Sequence, residues 1–188
     1  MGRGVGAGDA RGAGVSPLIR SLAAVVALPV MVTVVVPVWI ARRTGARIAV
    51  PESAAQWPAT LVGVALLAAG LALFLACVLR FSIEGRGTLA PWDPPRRLVV
   101  RGPYRFVRNP MITGVALVLL GEALLLRSLP HLVWAGCFIA ANAIYIPLFE
   151  EQGLEDRFGD DYRRYRANVP RLVPRLRPWR EDGEPPAA

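Results

Sequence analysis

The sequence predicts an all-α integral membrane protein with about four transmembrane helices. Three observations support this fold class: 54% of the 188 residues are hydrophobic, the mean hydropathy is +0.40, and four long apolar segments alternate with Arg-rich ones. An ordinary soluble domain is far less apolar. We expect the last two helices to form a tight hairpin and a C-terminal amphipathic helix to follow them at the membrane interface.

The first predicted helix comes after a polar tail. Residues 1–16 are rich in Gly and Ala with scattered Arg, which predicts a disordered N-terminal tail. The apolar segment 18–40 has 23 residues, or about 34 Å as a helix, and a bilayer core is about 30 Å thick. Pro29 and Pro37 should kink this helix, which neighbouring helices can tolerate.

The second predicted helix, 59–79, contains Gly63 and Gly70, which suit close packing against another helix. Residues 17–100 are therefore predicted to hold two transmembrane helices and a cytoplasmic loop. The whole loop extends over 80–109, and its prolines predict turns rather than a helix.

Two shorter apolar segments, 112–126 and 132–149, are separated by only five residues, which predicts a tight antiparallel hairpin. Glu122 lies within the first of them, where a charge is costly and therefore a functional candidate. His131, the only histidine, lies in the predicted turn, and we expect it to be solvated. Cys77 and Cys137 lie inside apolar segments and should act as small hydrophobes, so no disulfide or metal site is predicted.

The chain after Glu150 predicts an amphipathic helix. Its apolar side chains recur at spacings of four, four and three residues and so share one helix face; they are Leu154, Phe158, Tyr162 and Tyr165. We expect this helix to continue from the fourth span, to lie along the membrane surface and to end before Pro170. Residues 179–188 are predicted to be a disordered C-terminal tail.

The distribution of Arg predicts the orientation in the membrane. All 22 basic residues are Arg and the net charge is +8. With four spans and a cytoplasmic N-terminus, 18 of the 22 would lie on the cytoplasmic side, as the positive-inside rule requires. We therefore predict a multi-pass protein of the cytoplasmic membrane with both termini inside. An anionic membrane surface is the expected partner of these charges, and nucleic acid is not.

Two adjacent carboxylates, Glu150 and Glu151, follow the last span directly. Adjacent helix positions are rotated by about 100°, so the pair cannot point at one atom but could hold two parts of one ligand. Interfacial solvation and pairing with nearby Arg is the simpler explanation from the residues alone.

A second unusual element is the segment 101–114, RGPYRFVRNPMITG, which is basic and broken by prolines at the start of a span. A helix start with a positive anchor would explain most of it. The hairpin, however, returns this entrance and the glutamate pair to one side of the membrane. Together they would suit a cationic ligand that also carries a carboxylate, such as an amino-acid-bearing cofactor.

Segment 101–174 resembles the isoprenylcysteine carboxyl methyltransferase and phospholipid methyltransferase superfamily of integral membrane enzymes. The pattern is approximately G-P-Y-x-x-V-R-[HN]-P-x-Y-x-G, an apolar hairpin, E-E, then L…F-G-x-x-Y-x-x-Y…V-P-R…P. The chain matches it with Gly102, Pro103, Tyr104, Val107, Arg108, Asn109, Pro110, Gly114, Glu150, Glu151, Leu154, Phe158, Gly159, Tyr162, Tyr165, Val169, Pro170, Arg171 and Pro174.

The resemblance implies a methyltransferase that binds S-adenosylmethionine at the cytoplasmic face, within residues 101–178. The cofactor-binding residues that it implies are Tyr104, Arg108, Asn109, Pro110, Gly114, Glu150, Glu151, Tyr162 and Tyr165. Arg108, Glu151 and Arg171 are the expected catalytic residues, with Glu151 preferred over Glu150 for direct cofactor contact. The chain departs from the pattern at Asn109, where the family often has His, and at Ile112, where it usually has Tyr.

The acceptor stays open between phospholipid amines, prenylated thiols or carboxylates, and small lipophilic phenols or thiols. Two other classes also stay open: a nicotinamide-dependent membrane reductase of similar C-terminal architecture, and a non-enzymatic scaffold or degenerate relative. The sequence carries no sign of the oligomeric state.

Overall fold

The structure is a computed structural model that describes residues 27–84, 98 and 100–180. Within these residues five helices carry the fold: α1 (Ala27–Thr44), α2 (Trp57–Glu84), α3 (Pro110–Leu125), α4 (Leu129–Tyr145) and α5 (Glu151–Asn168). The described part of the chain contains no strand, so the all-α prediction is confirmed. The predicted N-terminal tail, 1–16, lies outside the described residues.

Within the described residues, three helical stretches are long and apolar enough to cross a membrane: Ala27–Thr44, Ala54–Arg80 and Leu129–Asn168. They fit a multi-pass membrane protein. The remaining apolar helix, α3, has 16 residues, or about 24 Å, less than the bilayer core of about 30 Å. Because α3 packs between α2 and α4, neighbouring helices cover much of its surface, and half of its residues are buried.

Paired glycines join α2 and α3 in antiparallel contact. Gly63 and Gly70 are seven residues apart on α2, and Gly114 and Gly121 are seven apart on α3. A Cβ added to Gly114 would lie 2.9 Å from the carbonyl oxygen of Gly70, and one on Gly121 would lie 2.8 Å from that of Gly63. Small residues thus let the two backbones approach directly. We call this contact of four glycines the glycine seam. The packing role predicted for Gly63 and Gly70 is therefore confirmed.

Proline changes the hydrogen bonding inside α1. A π-helical turn covers Met31–Val35, and the N–H of Val36 donates to the carbonyl of Met31. The carbonyl of Val32 is then free to accept a bond from the indole N–H of Trp134 on α4, with N and O 3.1 Å apart. Proline at position 37 explains the change of register, because it has no N–H to donate to the preceding turn.

His131 corrects one expectation from the sequence. Its side chain is only 2% exposed, and it lies in the first turn of α4 rather than in a solvated loop. Nδ1 is 2.8 Å from the Ser128 hydroxyl oxygen, and Nε2 is 3.1 Å from the carbonyl oxygen of Pro37. Both ring nitrogens therefore have partners, and these hydrogen bonds offset the loss of hydration when the histidine is buried. The turn before α4 contains only residues 126–128.

Helix α4 continues into α5 through a second π-helical turn, Ile146–Glu150, which contains Pro147. Helix α5 ends at Asn168, two residues before Pro170, so the predicted helix stop is confirmed. Gly159 has φ 52° and ψ −124° inside α5. These angles lie in a region that glycine reaches easily and other residues rarely do, and they bend the helix.

The apolar face of α5 packs on protein. Tyr162, Tyr165 and Val169 are buried together, and Leu98, Val100, Leu154, Phe158 and Trp179 pack around them. We predicted that this helix would lie along the membrane surface, and that stays a prediction. Its apolar face is covered by the segments before α3 and after α5, which return to α5 and bury the same stripe.

Candidate functional site

The segment before α3 folds as a tight turn against the end of α2. A 3₁₀ turn covers Gly102–Arg105, and Gly102 has φ 56°. A Cβ added to Gly102 would lie 2.5 Å from Nε of Arg80. The Arg80 guanidinium thus lies directly against the glycine backbone. Only glycine fits both the conformation and the space.

Asn109 and Pro110 then begin α3. Asn109 is the N-cap residue, but its side chain makes no capping hydrogen bond. Pro110 occupies the first turn, where its missing N–H costs nothing. The Thr113 hydroxyl lies 3.0 Å from the carbonyl oxygen of Asn109 and 2.8 Å from that of Leu172. Thr113 therefore ties the start of α3 to the chain beyond α5.

The chain beyond α5, which we call the C-terminal segment (169–180), packs along the segment before α3. The Arg108 N–H donates to the carbonyl of Pro170 at 2.8 Å, and the Asn109 N–H donates to that of Arg171 at 3.2 Å. Further along, Arg105 and Trp179 bond in both directions, from the N–H of Trp179 at 2.8 Å and from Nε of Arg105 at 2.7 Å. The tail boundary predicted at residue 179 falls inside this contact, and residues 181–188 lie outside the described ones.

Three charged side chains meet where α4 leads into α5. Nη1 of Arg108 donates to Oε1 of Glu151 at 2.7 Å. Arg171 donates to both oxygens of the same carboxylate, from Nε at 2.7 Å and from Nη2 at 3.0 Å. Planar two-point contacts of this kind are among the strongest side-chain hydrogen bonds. They raise the pKa of the Arg171 guanidinium above its ordinary value.

The two adjacent glutamates differ in their surroundings. Glu151 is 3% exposed, whereas Glu150 is exposed. The described residues give Glu150 no ion pair. The two side chains leave the helix in different directions because neighbouring positions are rotated by about 100°. Glu150 is therefore the carboxylate that a ligand could reach.

The three predicted tyrosines hold the framework of this region. Tyr162 and Tyr165 are 2% and 3% exposed. The hydroxyl oxygen of Tyr162 lies 3.4 Å from Nη1 of Arg108, a marginal hydrogen bond at most. Tyr165 donates to the carbonyl of Tyr104 at 2.7 Å, and its ring lies 5.9 Å from that of Trp179. Helix α5 is thereby fastened to the segments on either side of it.

Two further expected site residues lie in the first two turns of α3. Pro110 is buried. Gly114 faces Gly70 and Phe74 of α2, with a would-be Cβ 3.2 Å from the N of Phe74. The structure thus brings Arg108, Glu151, Arg171 and Tyr162 together. It places Gly114 in the glycine seam between α2 and α3.

Glu122 lies in the last turn of α3, about 20 Å from Asn109 by the helical rise. Its Oε2 is buried and has no hydrogen-bond partner among the described residues. Sequence reasoning found this residue but could not connect it with the glutamate pair, and the structure does not connect it either.

The sequence missed three residues that build the site: Arg80, Thr113 and Trp179. Only Gly102 gave a signal, because glycine in a turn is typical of places where another group approaches the backbone closely. Thr113 and Trp179 act through backbone carbonyls that are distant in sequence, and no local pattern marks such contacts.

Comparison with known proteins bears on this geometry. The family model of phospholipid methyltransferases matches residues 58–161, more than half of the chain. The chain belongs to the phospholipid methyltransferase family. The matched region includes both α2 and α3 with their glycine seam, and it extends through Arg108 and the glutamate pair.

A curated protein similar to this chain is a methanethiol S-methyltransferase from Bradyrhizobium diazoefficiens. The two are 38% identical over 76 residues, which are 39% of this chain and 27% of the relative. The match thus spans about a quarter of the length of that protein. No solved structure matches the chain. Family and relative together support a membrane methyltransferase.

Proposed function

We propose that this protein is a membrane-embedded, S-adenosylmethionine-dependent methyltransferase that acts on a lipophilic or amphiphilic acceptor at the cytoplasmic interface. The observation that supports it best is the 2.7 Å contact between Arg108 and Glu151. It joins the entrance of α3 to the exit of α4, the two elements that the superfamily pattern singles out. Both belong to one cluster on one side of the helix bundle.

The residues present fit the polar end of the cofactor. S-adenosylmethionine carries an ammonium, a carboxylate and a ribose diol. The exposed Glu150 carboxylate can accept from an ammonium or a diol, and the Arg171 side chain, 31% exposed, can donate to a carboxylate. When bound, the cofactor supplies a methyl group on a sulfonium, which is already activated for in-line displacement.

The remaining task of the protein is alignment and exclusion of water, since proximity alone can supply much of the rate. We assign Arg108 and Arg171 to an anionic group of the ligands, and Asn109 and Pro110 to the wall beside them. Tyr104, Tyr162 and Tyr165 support this wall from the packed side. The C-terminal segment covers the cluster, and the acceptor enters laterally from the bilayer with its polar head towards Glu150.

The methyl acceptor belongs to one of several lipophilic or amphiphilic classes. Phospholipid amines, prenyl-type thiols or carboxylates and small lipophilic phenols all suit lateral entry. The name of the relative specifies a methyl acceptor thiol, methanethiol, which places small thiols beside the lipids as a class to test. We further propose the cytoplasmic membrane, with both termini inside, from the distribution of Arg.

The test combines binding and transfer. Purified protein in detergent is titrated with S-adenosylhomocysteine, the demethylated cofactor, and with reduced nicotinamide nucleotide as a competitor. Glu150→Ala and Arg108→Ala should weaken binding of S-adenosylhomocysteine at least about tenfold, as loss of a charged hydrogen bond predicts. Arg163→Ala is the matched control, because among the described residues Arg163 pairs only with Glu155 and Asp160 of its own helix.

Radiolabelled methyl donor is then incubated with total membrane lipids and, separately, with methanethiol. Label in either fraction identifies the acceptor class. Unchanged binding in Glu150→Ala, Glu151→Ala and Arg108→Ala would refute the site. Binding of the nicotinamide nucleotide instead would refute the enzyme class, and a tight cofactor site without transfer to any fraction would indicate a non-enzymatic relative.

A further inference from the structure

The two adjacent glutamates lie in different environments, and the difference indicates separate tasks. We propose that Glu151 is a positioning residue that fastens the C-terminal segment to the site through Arg171, while Glu150 alone of the pair contacts the ligand. This inference rests on the proposed function. It reverses the preference for Glu151 that the sequence suggested.

Both oxygens of the Glu151 carboxylate already accept hydrogen bonds from guanidiniums. Oε1 accepts from both Arg108 and Arg171 at 2.7 Å, and Oε2 accepts from Arg171 at 3.0 Å. The residue is 3% exposed. Because the carboxylate is buried, a ligand could reach these oxygens only by displacing a guanidinium and its charged hydrogen bonds.

Arg171 depends on Glu151 for its place because its segment has no helix or strand to hold it. The segment is attached to the start of α3 by backbone acceptors, which are the carbonyls of Pro170, Arg171 and Leu172. These bonds and the two-point contact with Glu151 hold the segment together, and the contact with Glu151 also fixes the guanidinium. Without Glu151 the side chain would be free to turn away.

The charge count of the cluster supports the same division of tasks. Two guanidiniums share one carboxylate, so the cluster of Arg108, Glu151 and Arg171 keeps one positive charge. That surplus suits an anionic ligand group. The exposed carboxylate of Glu150, one residue away, suits a cationic one. A ligand with both charges, as the proposed cofactor has, would then lie between Arg171 and Glu150.

Two measurements on each variant separate positioning from contact. Hydrogen exchange at the amides of Arg108 and Asn109 reports the docking of the C-terminal segment, because these amides bond to its carbonyls. Titration with S-adenosylhomocysteine reports the ligand site. The variants are Glu150→Gln, Glu151→Gln and Arg171→Gln, with each glutamate change also made in the Arg171→Gln background.

For Glu151→Gln we expect faster exchange at both amides and binding weaker by about tenfold or more. In the Arg171→Gln background this substitution should add little, because its effect acts through Arg171. Glu150→Gln should weaken binding with exchange unchanged, and by the same factor in either background. Arg171→Lys keeps the positive charge but cannot make the planar two-point contact with Glu151. Its amide exchange rates and its ligand affinity should therefore lie between those of the wild type and of Arg171→Gln.

Weaker binding in Glu151→Gln with unchanged exchange, or an equal loss in both backgrounds, would mean that Glu151 contacts the ligand and would overturn the inference. If Glu151→Gln does not fold, hydrogen exchange and ligand binding in Arg171→Lys are compared with those of the wild type and of Arg171→Gln, and these two measurements decide. Absence of S-adenosylhomocysteine binding in the wild type would refute the proposed function and the role of Glu150, while exchange would still decide whether Glu151 holds the C-terminal segment.

Discussion

The glycine seam between α2 and α3 allows a quantitative prediction. In Gly70→Ala the new Cβ would lie 2.6 Å from the carbonyl oxygen of Gly114 and 2.8 Å from the N of Val118. Both neighbours are backbone atoms, so no side-chain rotation relieves the clash. Restoring an ordinary contact of about 3.4 Å requires the two helices to separate by roughly 0.8 Å.

That separation sets the magnitude. A gap of 0.5–1 Å loses about a quarter to a half of each dispersion contact, and one buried side chain makes some 40–60 contacts of about 0.15 kcal/mol each. If the seam loses the equivalent of one such side chain, Gly70→Ala should lower the free energy of unfolding by about 2–4 kcal/mol. Binding of S-adenosylhomocysteine should weaken as well, since Gly114 lies one turn from Pro110.

Unfolding in mixed micelles, followed by tryptophan fluorescence, measures this change. Gly136→Ala is the matched control, because a Cβ on this exposed glycine of α4 meets nothing within 4 Å. It should be neutral or stabilising by about 0.5–1 kcal/mol, since alanine has the better helix propensity. Equal stabilities of Gly70→Ala and Gly136→Ala would refute the idea that the seam requires glycine.

The other two predictions concern α5 and the start of α3. Gly159→Ala should destabilise the protein by about 1–3 kcal/mol because φ 52° and ψ −124° suit only glycine, even though a Cβ there meets nothing within 4 Å. Gly153→Ala on the same helix has equal space and ordinary angles, so thermal unfolding should show no loss; a loss of equal size would contradict the backbone explanation. Thr113→Val should speed hydrogen exchange in the C-terminal segment, because its hydroxyl bond to Leu172 is lost. Thr33→Val removes only a bond within its own helix and should leave that exchange unchanged; the same rates in both variants would contradict the role of Thr113.

The helices and their ends could be predicted from local chemistry. Apolar length predicted α1, α2 and α4, and the prolines at 110 and 170 marked the start of α3 and the end of α5. The α5 stripe was also read correctly, since Tyr162 and Tyr165 are buried. The protein segments that cover this face were not predicted, because periodicity shows which face of a helix is apolar and says nothing about what packs against it.

The candidate site, like the fold, could be predicted from the sequence only in part. The Arg108 entrance and the glutamate pair were found from spacing and resemblance, and the structure places Arg108 2.7 Å from Glu151. Which glutamate is buried could not be read from two identical neighbours. That outcome depends on how α4 enters α5 through the π-helical turn at 146–150, a rotation that the sequence does not encode locally.

The sequence by itself determined that this chain is helical and apolar enough to cross a membrane, and it carries the motif of its family. These properties depend on side-chain type and on spacings within one helix. Only the tertiary structure decided that Arg171 reaches Glu151, that Arg80 lies against Gly102 and that His131 is buried. Such contacts join residues far apart in the chain, so they exist only once helix packing has set the distances between them.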